Sequence, residues 1–218
     1  MSFNLRYKNH DDDVHGFGWE QRLPAVTEVV LRHNPDIIGT QEGFLQQIQE
    51  LREKLYEHER NYTACGCPRE RILGMIPCGE TCSVLSHWPR VKCLEQDSFA
   101  LSETFSKIGS TSWGTACPRI ATYAWLAVDT GDHQKGYCLL LLNTHLDHRR
   151  VIRSRSLIRA VQHLHFLDMG VSKSMGPPYI PPNSTIFLYS WDVYRRHLLF
   201  GSHMSTRIQR RQVRHSPN

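Results

Sequence analysis

The chain has 218 residues, 40% of them hydrophobic and 22% charged, which suits one globular domain with a sizeable core. Its net charge of +5 is mild and gathers from Arg149 onward, so the total does not by itself establish a basic active surface. Seven cysteines cannot all pair with one another, and no apolar run approaches the roughly 18 residues of a membrane span.

Ser2 to Tyr7 alternates and favours a strand, with Phe3 and Leu5 on one face and Asn4 and Arg6 on the other. The polar side reads either as a solvated edge or as a functional one, with Asn4 orienting a bound species and Arg6 touching phosphate. Lys8 to Gly18 reads as a polar loop in which Asp11, Asp12 and Asp13 form a solvated turn. Trp19 to His33 is helical: Leu23, Val26 and Val30 recur at the spacing of one buried stripe, and Asn34-Pro35 stops it. Asp36 to Glu42 gives a short strand ending in a carboxylate, and a second amphipathic helix starts near Phe44 with Leu45, Ile48, Leu51 and Leu55 in register. This order is an α/β pattern. Glu42 itself fits a first-turn acidic residue as well as a functional one.

From Tyr62 to Ser102 short strands alternate with turns, as in antiparallel pairing. Cys65-Gly66-Cys67 and Cys78 to Cys82 invite a zinc reading, but the C-x-C and C-x3-C spacing departs from the usual knuckle; small buried thiols are the better account. Ser110 to Arg119 is a loop leading into the strand Ile120 to Val128, with Arg119 either covering Trp113 or contacting phosphate. The run Cys138 to Leu142, followed by Asn143-Thr144-His145-Leu146-Asp147-His148, reads as a buried strand that delivers polar side chains to a rim. A helix carrying Arg149, Arg150, Arg153 and Arg155 with Ile152, Leu157, Val161 and Leu164 is expected next. A proline-rich stretch from Ser172 to Pro182, a strand from Thr185 to Tyr189 and a basic tail come after it.

Taken together, Ser2 to Tyr7, Pro35 to Glu42 with its Thr-Gln-Glu ending, Gly79-Glu80, Ser102-Glu103-Thr104, Trp113 to Thr122 and Asn143 to His148 resemble the endonuclease/exonuclease/phosphatase superfamily. Each motif is weak alone; six in the right order over residues 2 to about 160 are specific. The resemblance implies a four-layer α/β sandwich of the deoxyribonuclease type, two mainly antiparallel sheets face to face with helices outside. It implies Glu42 as a ligand of Mg²⁺ (Mn²⁺ as an alternative), with Asn4 beside it. It also implies His145 on a phosphoryl oxygen, Glu80 as the carboxylate that orients that histidine, and Arg6 and Arg119 as phosphate contacts. The substrate implied is a phosphate ester: nucleic acid, inositol phosphate or a phospholipid headgroup.

Two family pieces are missing from the sequence. No Ser-Asp-His occurs, and Phe187 to Asp192 loosely resembles the Gly-Asp-x-Asn strand end, with no asparagine after Asp192 at the required step. Loss of a water-activating base removes about 10² to 10⁴ in rate, so weak turnover, a non-catalytic phosphate or nucleic-acid binder, and a truncated product stand as alternatives. The expected division is a family-like domain over 1–170 with an incomplete second sheet, a divergent continuation over 171–200 and a disordered basic tail over 201–218. With no secretory signal ahead of the first strand, a cytoplasmic monomer with reduced thiols is expected.

Overall fold

The structure, a computed structural model, describes residues 1–131 and 136–149, together with Ile152, residues 154–156, Ile158 and the backbone of Thr185–Ser190. The proline-rich stretch, Leu157, Val161, Leu164, Asp192 and the basic tail lie outside the described residues. Strands β1 (Ser2–Asn4), β2 (Ile37–Gln41), β6 (Val84–His87) and β3 (Tyr62–Cys65) form one sheet in the order β1-β2-β6-β3. Strands β10 (Thr185–Ser190), β9 (Tyr137–Thr144), β8 (Ile120–Val128) and β7 (Val91–Ala100) form the second, in the order β10-β9-β8-β7. A separate hairpin, β4 (Pro68–Ile72) and β5 (Ile76–Thr81), stands between β3 and β6 in the chain. The helices described in full are α1 (His10–Val14), α2 (Trp19–His33) and α3 (Leu45–Tyr56).

The layering follows from which face each apolar residue takes. On the outer side of the first sheet, Ile38, Leu85 and Tyr62 pack with Trp19, Val26 and Val30 of α2 and Ile48, Leu51 and Leu55 of α3. Between the sheets lie Val84, Val91, Ala124, Leu126, Val128, Leu139 and Leu141. On the far side of the second sheet lie Phe99, Tyr123, Leu140, Leu142 and Leu146. Successive strand residues face opposite ways, so Leu139 to Leu142 feed two cores in turn, which is why that run reads as unbroken apolar sequence. Ile152, residues 154–156 and Ile158 are helical, and Ile152 and Ser156 are buried. The architecture is the four-layer α/β sandwich. No helix among the described residues is long and apolar enough to cross a membrane.

Several local features differ from the sequence reading. The first strand stops at Asn4, because Arg6 takes a left-handed conformation, φ 53°. The Asp11-Asp12-Asp13 run is helical rather than a plain turn: Asn9 caps it by accepting from the Asp12 amide at 2.9 Å, and three acidic residues in a first turn suit the helix dipole. Leu45, expected in the buried stripe of α3, opens the helix and is half exposed. Gln47, which no pattern singled out, is buried and ties three segments together. Its Oε1 accepts from the Lys8 and Phe44 amides at 2.9 and 3.1 Å, and its Nε2 donates to Arg6 O at 3.1 Å. In β7 the register shifts between Cys93 and Glu95, so Leu94 is an extra residue on that strand. Cys93 pairs with Leu126 and Glu95 with Trp125.

Candidate functional site

Strand pairing brings distant residues to one rim. In the parallel pair β1–β2, Asn4 stands opposite Gln41, so Glu42 leaves the sheet beside it. In the antiparallel pair β8–β9, Ala121 stands opposite Thr144, so Arg119 and His145 meet just beyond the two strand ends. In the hairpin, Pro68 stands opposite Thr81, which sets Arg69 beside Glu80. The hairpin is anchored to the rim through Thr81, whose amide and hydroxyl both donate to Gly43 O at 2.9 and 2.8 Å.

Asn4 Nδ2 donates to Glu42 Oε1 at 2.8 Å, and the Asn4 Oδ1 accepts from the Arg6 amide at 2.8 Å. Glu42 has φ 64°, a backbone conformation uncommon outside glycine, of a kind that concentrates at functional sites. His145 Nε2 lies 3.9 Å from the same Glu42 oxygen. On its other side, His145 Nδ1 lies 3.3 Å from an Arg119 terminal nitrogen. A guanidinium has only donors, so Nδ1 accepts and the imidazole carries its proton on Nε2, on the side of Glu42. The Nε–H of Arg119 is buried without a hydrogen-bond partner. A small, open cleft here is lined by Arg69, Glu80, Thr81, Cys82, Arg119, Ile120 and His145.

Glu80 shares that cleft with His145, and its carboxylate is held by Arg69 at 2.7 Å. Burial pushes the Glu80 carboxyl up, and Arg69 opposes the shift. Burial likewise pushes the Cys82 thiol up to about 12, so it is inert at neutral pH. Arg6 is turned to Asp12 by two hydrogen bonds of 2.5 and 2.7 Å, close enough to Glu42 to feel its charge. Asp147 is fully buried. Burial works to raise its carboxyl, but the Arg149 amide and the charges of Arg119, His148 and Arg149 hold it below the usual range.

Behind the rim, the two sheets are knotted by Asn143. Its Oδ1 accepts from Gln41 Nε2 at 2.7 Å, and its Nδ2 donates to Thr40 O and Ser83 O at 2.8 and 2.9 Å. Gly39 permits this approach: a Cβ there would sit 2.9 Å from Asn143 Oδ1. The strand ends that carry Glu42 and His145 are thereby fixed relative to each other.

Among solved structures, the mannosyl-6-phosphatase of Bacteroides thetaiotaomicron VPI-5482 matches over 86% of this chain and 62% of its own, with TM-score 0.67 and 27% identity. An endonuclease/exonuclease/phosphatase from Bacteroides vulgatus matches over 76% of this chain and 59% of its own, with TM-score 0.65 and 28% identity. A protein of the same named family from Bacteroides thetaiotaomicron matches over 86% and 61%, with TM-score 0.67 and 27% identity. The chain has the fold of the endonuclease/exonuclease/phosphatase superfamily. It spans about three-fifths of the length of these superfamily members. No protein-family model and no curated protein sequence matches it.

The superfamily implies a divalent metal, and the donor chemistry at the rim fits one. Mg²⁺ prefers hard oxygen, keeps several waters and is commonly held by one or two carboxylates. Glu42 is such a donor, its side chain 18% exposed and oriented by Asn4. Among the described residues no group of three or more His, Cys, Asp or Glu side chains converges as a metal cage, an arrangement Mg²⁺ does not require. Of the residues expected from the sequence, Asn4, Glu42 and His145 meet with Arg119 at one rim, Glu80 lines the adjoining cleft, and Arg6 is engaged with Asp12. The sequence reading missed Arg69, Gln41 and Gly39, and assigned Asn143 no role. The one available signal was a glycine inside a strand, which often marks close backbone approach.

Proposed function

We propose that this chain hydrolyses phosphate esters with the help of a divalent metal at the rim formed by Asn4, Glu42, Arg119 and His145. The observation that carries the reading is the arrangement around one carboxylate oxygen: the Asn4 amide at 2.8 Å and His145 Nε2 at 3.9 Å, with Arg119 on the far side of the imidazole. Glu42 would hold Mg²⁺, which when bound supplies positive charge that polarises the phosphoryl group. Asn4 keeps the carboxylate turned to the rim. His145, protonated on Nε2, donates to a phosphoryl oxygen, a contact that strengthens as charge builds there. Arg119 fixes that tautomer and offers its unpartnered Nε–H to a second oxygen. Glu80, neutralised by Arg69, shapes the cleft without repelling an anionic substrate.

The likeness to a mannosyl-6-phosphatase makes mannose 6-phosphate the first monoester to assay, beside an activated phosphodiester. Hydrolysis should need Mg²⁺, stop with EDTA, and fall about 10² to 10⁴-fold in Glu42→Ala and in His145→Ala. Activity indifferent to both substitutions would reject the site. A second reading, phosphate or nucleic-acid binding without turnover, is favoured by the lack of Ser-Asp-His and Gly-Asp-x-Asn in the sequence. It expects no metal-dependent hydrolysis and binding that survives Glu42→Ala but weakens steeply with salt.

A further inference from the structure

Two cysteines outside the rim face each other across the sandwich. Cys65 ends β3, an edge strand of the first sheet among the described strands, and Cys93 lies on β7, an edge strand of the second. Register fixes their directions. Cys65 pairs with Val84 and Cys93 with Leu126, and both partners belong to the cluster between the sheets. Directly paired residues share a face, so both thiols point into the interlayer at the same lateral edge. Cys65 packs on that cluster, and Cys93 is open to solvent. Each thiol lies near enough to the other to shift its ionisation.

We propose that Cys65 and Cys93 form a reversible disulfide that staples the two sheets at this edge, with a small-molecule or protein disulfide as the oxidant. The thiols divide the labour. The neighbouring Cys65 draws the Cys93 thiol down to about 7 against the effect of burial. Cys65, beside Cys93 and desolvated, is pushed up. Cys93, exposed and with the lowered pKa of the two, is therefore the attacking thiolate.

In the first step the Cys93 thiolate attacks one sulfur of the oxidant, oxidised glutathione for example. The S–S bond of the oxidant breaks, its electron pair leaves on one glutathione thiolate, and a mixed disulfide forms. Cys65 gives up its proton to that thiolate and attacks the Cys93 sulfur. The Cys65–Cys93 bond forms and the second glutathione leaves as thiolate. The protein loses two electrons and two protons; the oxidant takes both. The bridge would join positions 28 apart, 65 and 93, and would restrain the strand from which the hairpin carrying Arg69 and Glu80 departs.

The test uses the full chain, oxidised with glutathione disulfide at pH 7 without denaturant and mapped with trypsin without reduction. The segment 61–69 should be found joined to the segment 93–107. Because 61–69 also contains Cys67, the link should persist in Cys67→Ser and vanish in Cys93→Ser. Oxidation should raise Tm by about 5–10 °C, reversibly with dithiothreitol. At pH 7 Cys93 should alkylate roughly tenfold faster than an ordinary exposed cysteine. Recovery of Cys93 only as a free thiol or as its glutathione adduct would overturn the proposal. So would a link to another cysteine, or a Cys65–Cys93 link that leaves Tm unchanged.

Discussion

If Asn143 is the knot between the sheets, Gly39 and Asn143 are energetically one unit, and a double-mutant cycle should show it. In Gly39→Ala the new Cβ would sit 2.9 Å from Asn143 Oδ1 and 3.0 Å from its Cγ. The Asn143 side chain is held by three hydrogen bonds and cannot swing away. Overpacking of this kind costs about 2–3 kcal/mol. Asn143→Ala removes those three bonds in a fully buried place. Part of the loss is cushioned, because Ser83 O still accepts from the Thr40 amide at 2.8 Å and Gln41 Nε2 still has Gly39 O at 3.3 Å. About 3 kcal/mol is the expected cost. In the Asn143→Ala background the obstacle to a Cβ at position 39 is gone, and Gly39→Ala should be close to neutral. The double variant should thus cost about 3 kcal/mol where simple addition gives about 5, a coupling of about 2 kcal/mol. Urea unfolding of the four proteins, compared at a common m-value, measures it. Additivity to within about 0.5 kcal/mol would refute the claim that these two residues hold the sheets together.

Gln47→Ala should cost about 2–4 kcal/mol, since it strands the Lys8 and Phe44 amides and Arg6 O, and hydrogen exchange at Lys8 and Phe44 should quicken. Burial, then the Arg60 and Arg90 charges, lower the His87 pKa below 6.5, with Asp36 opposing. Its contribution to stability is therefore present above about pH 6.5 and is lost as pH falls through the folded-state value. Tm measured from pH 7.5 to pH 5 should decline less steeply in His87→Gln. At the tip of the β4–β5 hairpin, Leu73 and Met75 are 84% and 75% exposed; Leu73→Ser and Met75→Ser should leave stability within about 0.5 kcal/mol while reducing aggregation.

Much of this was legible because it is local or periodic. The stripe of Val26 and Val30, the carboxylate ending β2 and the leucine run of β9 each announce an element and an end, and the ends carry Glu42 and His145. Six short motifs in order supplied the resemblance that periodicity could not. What stayed hidden depends on residues brought together only by folding. Nothing near Asn143 in the sequence says that it faces Thr40 O and Ser83 O, about 60 to 100 positions away. Arg69 reaches Glu80 only because the hairpin folds back, and Arg6 leaves the strand because Asp12 on α1 draws its guanidinium away. Local alternation predicted Arg6 on a strand face; a left-handed residue and an ion pair overrode it.

Leu94 carries a consequence of another kind. Its removal would restore an even ladder with β8 while leaving every neighbour on its present face, Cys93 inward and Glu95 outward. Neither core would register the loss. Yet the kink that an extra residue imposes on a strand at the border of the described sheet disfavours a stranger's backbone zipping onto it. A leucine 60% exposed would then matter more to whether one molecule adds itself to the next than to either core.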